Sequence, residues 1–373
     1  MKWVFWSAAV IIAYTYFGYP AWLWIRSWLR PRPVQRAPYM PHVSMVMVVR
    51  NEEKVLRRKL ENLLGLNYPA ELREIVVVSD GSTDGTNEIL AEYGRQAGVH
   101  VILNPEAKGK ACGLNDAIGL ARGEVVVFTD ARQEIEAGAL HLLMENLADP
   151  AVGCVSGELM LGYPASGESG RGVGLYWRVE KKVREMESAG GSVVGATGAL
   201  YAVRRELLAP LPPGTILDDV YLPMNVVRQG KRVIFEDQAR AWDSPNLGEK
   251  REFTRKVRTL SGNYQLLQIA PWLLGNRNPL RFEFVSHKLL RLLGPFVLVA
   301  ALVSCASLEQ GMYRVFWWTQ IGFYGLSVLA LMPVKLGPLG RLASAASTFV
   351  VLNAAAAMAF ANFVTRRKAV WVR

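Results

Sequence analysis

The stretch that decides the fold runs from Val43 to Asn51 and has the sequence VSMVMVVRN. Six of its first seven residues are apolar, and polar residues follow abruptly at Arg50. A strand that is apolar on both faces is typical of a parallel sheet covered by helices on both sides, whereas a half-exposed strand alternates. We therefore predict a central strand whose carboxyl end lies at Arg50.

The same pattern recurs downstream, where short β-branched runs alternate with amphipathic stretches. Further strands are predicted over Glu74–Ser79, Val99–Leu103 and Glu124–Thr129. Helices are predicted over Glu52–Leu66, Asp84–Ala97, Ala111–Ala121 and Glu134–Ala148. This alternation predicts an α/β domain with a mostly parallel, doubly covered sheet, which we place at residues 42–280.

Acidic side chains follow several of these strands, namely Glu52, Asp80 and Asp130. Ligands of open α/β sheets bind beyond the carboxyl ends of the strands. Carboxylates at that edge predict a ligand rich in hydrogen-bond donors, a metal ion, or both. Helix capping is the alternative, and it is strongest for Asp84, which precedes Gly85 and a predicted helix.

Several other enzyme classes are disfavoured by absent motifs. No GxGxxG follows the first strand, and the chain contains neither a GxxxxGK[ST] P-loop nor a GxSxG elbow. The three cysteines, Cys112, Cys154 and Cys305, are far apart and form no CxxC pair. They predict free thiols rather than a zinc cluster or a disulfide framework.

Uncharged apolar runs concentrate at the two ends of the chain, which is 373 residues long and 51% hydrophobic. Runs of this kind, about 20 residues each, can cross about 30 Å of hydrocarbon. We predict one membrane helix within residues 1–28, a linker over 29–41, and a membrane domain of about three helices within 281–373. The four runs are Trp3–Ile25, Leu292–Leu308, Val315–Val334 and Leu342–Thr365.

Flanking charge predicts the orientation. Nine Lys or Arg but only two Glu lie between Arg26 and Leu60, which places the α/β domain of this multi-pass protein in the cytoplasm. The basic tail Arg366-Arg367-Lys368 would then lie outside, so either the rule is overridden there or one run does not cross.

The net charge of +11 lies largely beside these runs, without a nucleic-acid-binding motif. It favours membrane lipids and phosphorylated substrates over nucleic acid as partners. We expect His287-Lys288, just before a span, to face lipid head groups.

Four segments in order resemble the motifs of family 2 glycosyltransferases. They are Val49–Glu53, Val78–Thr86, Lys108–Asn115 and Phe128–Arg132, the last of which is similar to the strand end that carries the family's DxD motif. The arrangement of one span before and several after this domain is similar to cellulose, chitin and hyaluronan synthases. The resemblance implies a GT-A fold and inverting transfer from a nucleotide sugar.

The resemblance also implies roles on the donor side. Glu52 and Asp80 match positions that hold the nucleotide base and ribose, which favours a UDP sugar, and Lys110 matches a lysine that faces the diphosphate. Asp130 matches the first DxD carboxylate and so a Mg²⁺ or Mn²⁺ ligand. The second carboxylate is replaced by Arg132, which offers no oxygen ligand. Either the metal is held by Asp130, phosphates and water, or Arg132 itself neutralises phosphate charge.

On the acceptor side, the small residues Gly195–Ala199, which include Gly198, resemble the family's acceptor loop. Leu217-Asp218-Asp219 resembles its ED motif, whose last carboxylate is the general base, here Asp219. Adjacent carboxylates raise one another's pKa, which suits a base. The alternative is that Asp218 and Asp219 only begin a helix.

Arg255 and Arg258 occupy the place of the family's QxxRW motif, here RxxRT. They are predicted ligands of the diphosphate or of an acceptor phosphate, since Arg suits bidentate phosphate contact. A solvated or lipid-facing basic surface is the alternative. The loss of Gln and Trp puts processive synthesis in doubt.

The leading hypothesis is therefore a membrane-bound transferase that passes a sugar to a lipid-linked or growing glycan acceptor. The alternative is a non-catalytic subunit that binds a nucleotide or glycan and scaffolds a synthase. Three C-terminal spans are few for a private polysaccharide channel, so a synthase partner subunit or a homo-oligomer is a further expected partner.

Overall fold

The computed structural model describes residues 1–162, 175–243, 249–308, 311–331 and 337–365. Its first strand, β1 (Val43–Val49), is buried along its whole length, as its sequence predicts. β1 lies between β2 (Arg73–Asp80) and β4 (Val125–Thr129), and β3 (Val99–Asn104) lies outside β2. All three pairings are parallel, so the carboxyl ends of the four strands meet at one edge of the sheet.

The second half of the sheet is mixed. Beyond β4 the order continues through β7 (Leu200–Arg204), β6 (Val152–Leu161), β8 (Arg232–Asp243) and β5 (Glu134–Ile135). β7 is antiparallel to both neighbours, β8 is parallel to β6, and β5 is antiparallel to β8. The predicted α/β sheet is confirmed, with its continuous parallel pairing confined to the first half.

Helices cover both faces of the sheet and build two apolar cores, one on each face. The predicted helices of the first half are confirmed to within a few residues. The prediction over Glu134–Ala148 was wrong at its start, because Glu134 and Ile135 pair with β8 and the helix begins at Ala139. The helices are α2 (Glu53–Leu64), α3 (Thr86–Tyr93), α4 (Lys110–Leu120), α5 (Ala139–Leu147), α6 (Leu175–Gly190), α7 (Asp218–Arg228) and α8 (Glu249–Ile269).

Three helices in the described ranges are long and apolar enough to cross a membrane. They are α1 (Lys2–Leu29), α9 (Arg281–Ala306) and α11 (Gly340–Val364), with mean hydropathies of 1.3, 2.2 and 1.6. The predicted run Val315–Val334 corresponds to α10 (Gly311–Leu329), a helix that is not among the three. The last residues of that predicted run, 332–334, and the basic tail at 366–368 lie outside the described residues.

The apolar helices and the α/β domain share an interface. α6 packs against α1, and α8 packs against α11. Arg26 at the end of α1 pairs with Glu283 at the start of α9. The linker after α1 is tied to the domain as well, since Arg232 donates to the carbonyl of Arg32 at 2.8 Å.

Candidate functional site

The loops that follow β1 and β2 lock together. The Asn51 side chain accepts a hydrogen bond from the Thr83 amide at 2.8 Å, and Glu53 accepts one from Gly85 at 2.8 Å. Asn51 has a φ of 55°, a left-handed conformation that Asn adopts more readily than most residues. Asp84 accepts from the Thr86 amide at 3.1 Å, but it is not the N-cap that its sequence predicts, because Gly85 takes that position at the start of α3.

Asp80 is fully buried, and its carboxylate holds the loop that leads into α4. It accepts from the amides of Lys108 at 2.7 Å and of Gly109 at 3.0 Å. Gly81 has a φ of +63°, and a Cβ there would meet the Ala107 nitrogen at 2.5 Å. Asp80 therefore positions the start of α4, where Lys110 lies. Its direct contact with a nucleotide stays a prediction.

Lys110 joins the two halves of the sheet. Its Nζ lies 3.0 Å from Asp130 Oδ1 at the end of β4 and 3.2 Å from Asp218 Oδ1 at the start of α7. Burial acts to lower the pKa of Lys110, but Asp130 and Asp218 outweigh burial and raise it. The ammonium therefore stays charged between two carboxylates. The hydroxyl of Tyr201 on β7 also donates a hydrogen bond to Asp218 Oδ2, at 3.4 Å.

Glu52 and Arg132 belong to the same electrostatic cluster. Burial and the neighbouring Asp130 raise the pKa of Glu52, whereas Arg132 lowers it. The side chain of Arg132 is exposed, and that of Asp130 is 42% exposed. A ligand can therefore reach both side chains from solvent, whereas Asp80 is closed off.

Asp219 lies against the small-residue loop, as its motif predicts. The Ala196 amide donates to the Asp219 carbonyl at 2.6 Å, and a Cβ at Gly198 would stand 3.1 Å from Asp219 Oδ2. Burial raises the pKa of Asp219 to about 6, and Asp218 raises it too, while Lys110, Lys288 and Arg184 oppose the shift. A half-buried carboxylate with this pKa is mostly ionised at neutral pH and can still accept a proton.

Arg255 and Arg258 both lie on α8, at the predicted spacing. Arg255 lies 2.9 Å from Glu252 and 3.8 Å from Asp243. Asp243 in turn accepts from Gln133 at 2.9 Å, in the loop that follows Asp130. Arg255 is thus connected to the loop after Asp130 by way of Asp243 and Gln133. The phosphate contacts of Arg255 and Arg258 stay predictions.

The protein alone supplies few metal ligands. Within the described ranges, no three His, Cys, Asp or Glu side chains gather in a way that would hold a metal ion. Asp130 is half-exposed at the strand end, and Arg132 takes the place of a second carboxylate. This donor set fits a Mg²⁺ or Mn²⁺ ion that shares one carboxylate with the phosphates of its ligand.

Two cations at this site, Lys59 and Arg184, were missed in the sequence, and a third, Lys288, was expected only to face lipid head groups. Lys59 is buried and donates to Thr129 Oγ1 at 2.9 Å and to the Gln133 carbonyl at 2.6 Å, so it holds the Asp130–Gln133 loop from beneath. Arg184 on α6 donates to Thr197 at 2.6 Å, next to Gly198. The charge of Lys288 on α9 lowers the pKa of Asp219. The only available signal was a charge within an amphipathic or apolar helix.

The expectation that His287 faces head groups was wrong. Its ring is 2% exposed and lies between Glu187, 2.7 Å from Nδ1, and Glu180, 3.0 Å from Nε2. Charged partners on α6 draw it into the protein, because a buried polar ring needs hydrogen bonds that lipid cannot supply.

The mixed sheet and the helices on its two faces form a fold of GT-A type. Comparison with known families agrees, since residues 44–211 match the model of Glycosyl transferase family 2. These residues make up a little under half of the chain, and over them the chain is similar to family 2 glycosyltransferases.

Curated relatives are named for related activities. The chain is 27% identical over 237 residues to "Probable glycosyltransferase YdaM" of Bacillus subtilis, covering 60% of this chain and 56% of that protein. It is 24% identical over 243 residues to the poly-beta-1,6-N-acetyl-D-glucosamine synthase of Staphylococcus aureus, covering 64% and 58%. A beta-monoglucosyldiacylglycerol synthase of Nostoc is 31% identical over 131 residues, covering 34% and 28%. The matches thus span little more than half of these relatives, or less.

Among solved structures, the chain is similar to a mannosyltransferase from Pyrobaculum calidifontis, determined in complex with GDP-Man and Mn²⁺. The TM-score is 0.74 at 24% identity, and the match covers 96% of this chain and 98% of that one. At this identity the likeness establishes the shared fold, and the match extends over nearly the whole chain.

Proposed function

We propose that the protein transfers a sugar, with inversion, from a nucleotide-diphosphate donor to a lipid-linked or growing glycan acceptor. The observation that carries this proposal is Lys110, which joins Asp130 at the predicted donor edge to Asp218, next to Asp219. One buried ammonium thus links the predicted diphosphate site to the predicted base. Inverting transfer needs these two parts and no covalent nucleophile.

On the donor side, Glu52 and Arg132 face the nucleotide sugar with Asp130, and Lys110 stabilises charge on the leaving diphosphate. The Pyrobaculum protein was determined with GDP-Man and Mn²⁺, which supports a nucleotide sugar and a divalent cation as the ligand class. Such a cation, shared between Asp130 and the phosphates, would neutralise negative charge on the leaving group. A screen of UDP and GDP sugars decides between uracil, which the family resemblance favours, and guanine.

On the acceptor side, Asp219 takes the proton of the attacking hydroxyl. Its raised pKa, about 6, lets it bind that proton while it remains ionised in the resting enzyme at neutral pH. Gly198 leaves room beside the carboxylate, because a larger side chain would press on Asp219 Oδ2. The acceptor therefore approaches over the small-residue loop.

The apolar helices support a reaction at a bilayer surface. The basic segment after α1 favours a cytoplasmic α/β domain, and the apolar helices α1, α9 and α11 favour a multi-pass protein. Two of the relatives are named for a glycolipid and a polysaccharide product, which supports an acceptor of either kind.

The test is Asp219→Asn in the purified full-length protein. We expect sugar transfer to fall by about 1,000-fold while donor binding persists, because Asn keeps the shape but cannot act as a base. Asp237→Asn, on an exposed carboxylate that pairs with Lys181, is the control and should keep its activity. Normal donor binding without transfer by the wild type, across a panel of donors and acceptors, would support a scaffolding subunit instead.

A further inference from the structure

Arg50 lies at the carboxyl end of β1, directly after the last residue of that strand. The last pair between β1 and β2 joins Val49 to Ser79, so Asp80 lies on one side of Arg50. Asp130, which follows the parallel strand β4, lies on the other side. Arg50 is therefore central in the edge of the sheet where the donor is predicted to bind.

The side chain of Arg50 takes no part in holding the fold together. It is half-buried, and its Nε is buried without a hydrogen-bond partner in the described part of the chain. Neither an ion pair nor another hydrogen bond of its guanidinium is found among those residues. A buried donor that stays unpaired costs free energy, so such groups in folded proteins are rare and call for an explanation. An unpaired arginine at the edge where ligands bind indicates a ligand with hydrogen-bond acceptors.

The polar groups around Arg50 are already paired with one another. Asp80 accepts from backbone amides of the loop before α4, and the Ser79 hydroxyl donates to Asn87 Oδ1 at 2.7 Å. Asn51 accepts from the loop after β2 at 2.8 Å. These loops are held in place by contacts that do not involve Arg50, so its guanidinium is available to a ligand.

A second unpaired charge lies two residues away. Glu52 is half-buried, and no hydrogen bond or ion pair of its carboxylate is found among the described residues. The opposite charges of Arg50 and Glu52 therefore do not pair with each other, although only Asn51 separates them in the sequence. The left-handed turn at Asn51, with a φ of 55°, is fixed by its hydrogen bonds to the loop after β2. One strong donor and one strong acceptor thus follow β1, and both are unpaired.

This pair of groups matches the hydrogen-bonding edge of a keto base. A guanidinium can only donate, and an ionised carboxylate can only accept. Uracil and guanine each carry a ring N–H next to a carbonyl oxygen, so the carbonyl can accept from Arg50 while the N–H donates to Glu52. Cytosine and adenine carry an amino group in place of that carbonyl, so a donor would face a donor.

We propose that Arg50 determines the base specificity of the donor site: it donates to the carbonyl oxygen of uracil or guanine and discriminates against cytosine and adenine. The inference rests on the proposed function, and it names the class of nucleotide that the donor site takes. The family resemblance assigns no role to Arg50. A contact of Arg50 with a phosphate oxygen is the alternative, and it would be indifferent to the base.

The test is equilibrium binding of UDP, GDP, CDP and ADP to the full-length protein in detergent with Mn²⁺. We expect UDP or GDP to bind at least about tenfold more tightly than both CDP and ADP, because an amino base leaves the buried donor unpaired. Arg50→Met should remove this preference by weakening the keto nucleotide, with CDP and ADP kept within about twofold of their wild-type affinities. Arg50→Lys keeps a donor and should restore part of the preference. Arg57→Met, on an exposed arginine paired with Glu92, is the matched control and should bind like the wild type.

A wild-type protein without this preference, or an unchanged preference in Arg50→Met, would overturn the inference. Equal weakening of all four nucleotides in Arg50→Met would also overturn it and would indicate a phosphate contact instead. If Arg50→Met folded poorly, Arg50→Gln would decide the matter, because its amide can also accept from an amino group and should flatten the preference. Sugar transfer in the same samples tests the proposed function separately: a base preference that depends on Arg50, without any transfer, would contradict that function and leave the inference standing.

Discussion

The two halves of the site are built in different ways. On the donor side, the loop before Lys110 is held by backbone amides that donate to Asp80, within the parallel half of the sheet. On the acceptor side, side chains from distant elements converge, such as Arg184 from α6 and His287 from α9. The proposed donor half is thus built within the α/β domain, whereas the proposed acceptor half also depends on the apolar helix α9.

The largest effect in this comparison is expected at Lys110, where the halves meet. Lys110→Met leaves Asp130 and Asp218 without their shared cation, and donor affinity should fall by about 100-fold. The matched control is Lys108→Met, two residues away, since the exposed Lys108 contributes only its backbone amide to Asp80. The donor affinity of both variants is measured by titration with the nucleotide sugar. Similar affinities would contradict the proposal that Lys110 connects the donor side to the acceptor side.

A pH profile of the transfer rate tests the role of Asp219 on the proposed acceptor side. Below the Asp219 pKa of about 6 the carboxylate is protonated and cannot take the hydroxyl proton. The rate under saturating substrates should therefore be flat above pH 7 and fall by about tenfold between pH 7 and 5. Arg184 lowers this pKa, so Arg184→Gln should move the acid limb to higher pH. A profile that stayed level down to pH 5 would argue against Asp219 as the base.

Gly198→Ala is expected to affect the acceptor half by a smaller amount. The new Cβ would stand 3.1 Å from Asp219 Oδ2, so the carboxylate must shift by a few tenths of an ångström. We expect kcat to fall by roughly fivefold with donor affinity kept, because positioning errors act on the chemical step. Gly119→Ala on α4, where a Cβ has open space, is the control. Loss of donor affinity in Gly198→Ala would place this loop on the donor side instead.

The smallest expected effect is a change in stability on the donor side. Burial lowers the pKa of Lys59 to about 7 from 10.5, so between these values the unfolded chain binds a proton that the folded chain does not. The free energy of unfolding should therefore rise with pH across that window, by about 2–4 °C in the thermal midpoint between pH 7 and 9. Lys59→Met should remove this rise, whereas Lys54→Met on the exposed face of α2 should keep it.

The donor half was largely predictable from sequence, because its signals are local. The buried β1 and the start of α4 each follow from a few adjacent residues. The start of the predicted Glu134 helix failed because Trp242, more than 100 residues away, pairs with Glu134 and donates to Glu136 at 2.7 Å. Such tertiary pairing overrides local periodicity.

The acceptor half was predictable only in part. The motif that contains Asp219 was found, but Arg184 carries no local signature of a role there, since Thr197, to which it donates, lies in the loop after α6. The same reason explains the error at His287, whose contacts Glu180 and Glu187 lie about 100 residues away in the sequence. The domain boundaries and the phosphate roles of Arg255 and Arg258 stay predictions.

The most direct test of the central claim is a structure of the full-length protein with an intact nucleotide-sugar analogue and Mn²⁺. We predict that the diphosphate lies at Lys110 and Asp130, and that the reacting carbon of the sugar stands about 6 Å from Asp219, which leaves room for one hydroxyl between them. A sugar that pointed away from Asp219, or a diphosphate bound elsewhere, would contradict the account.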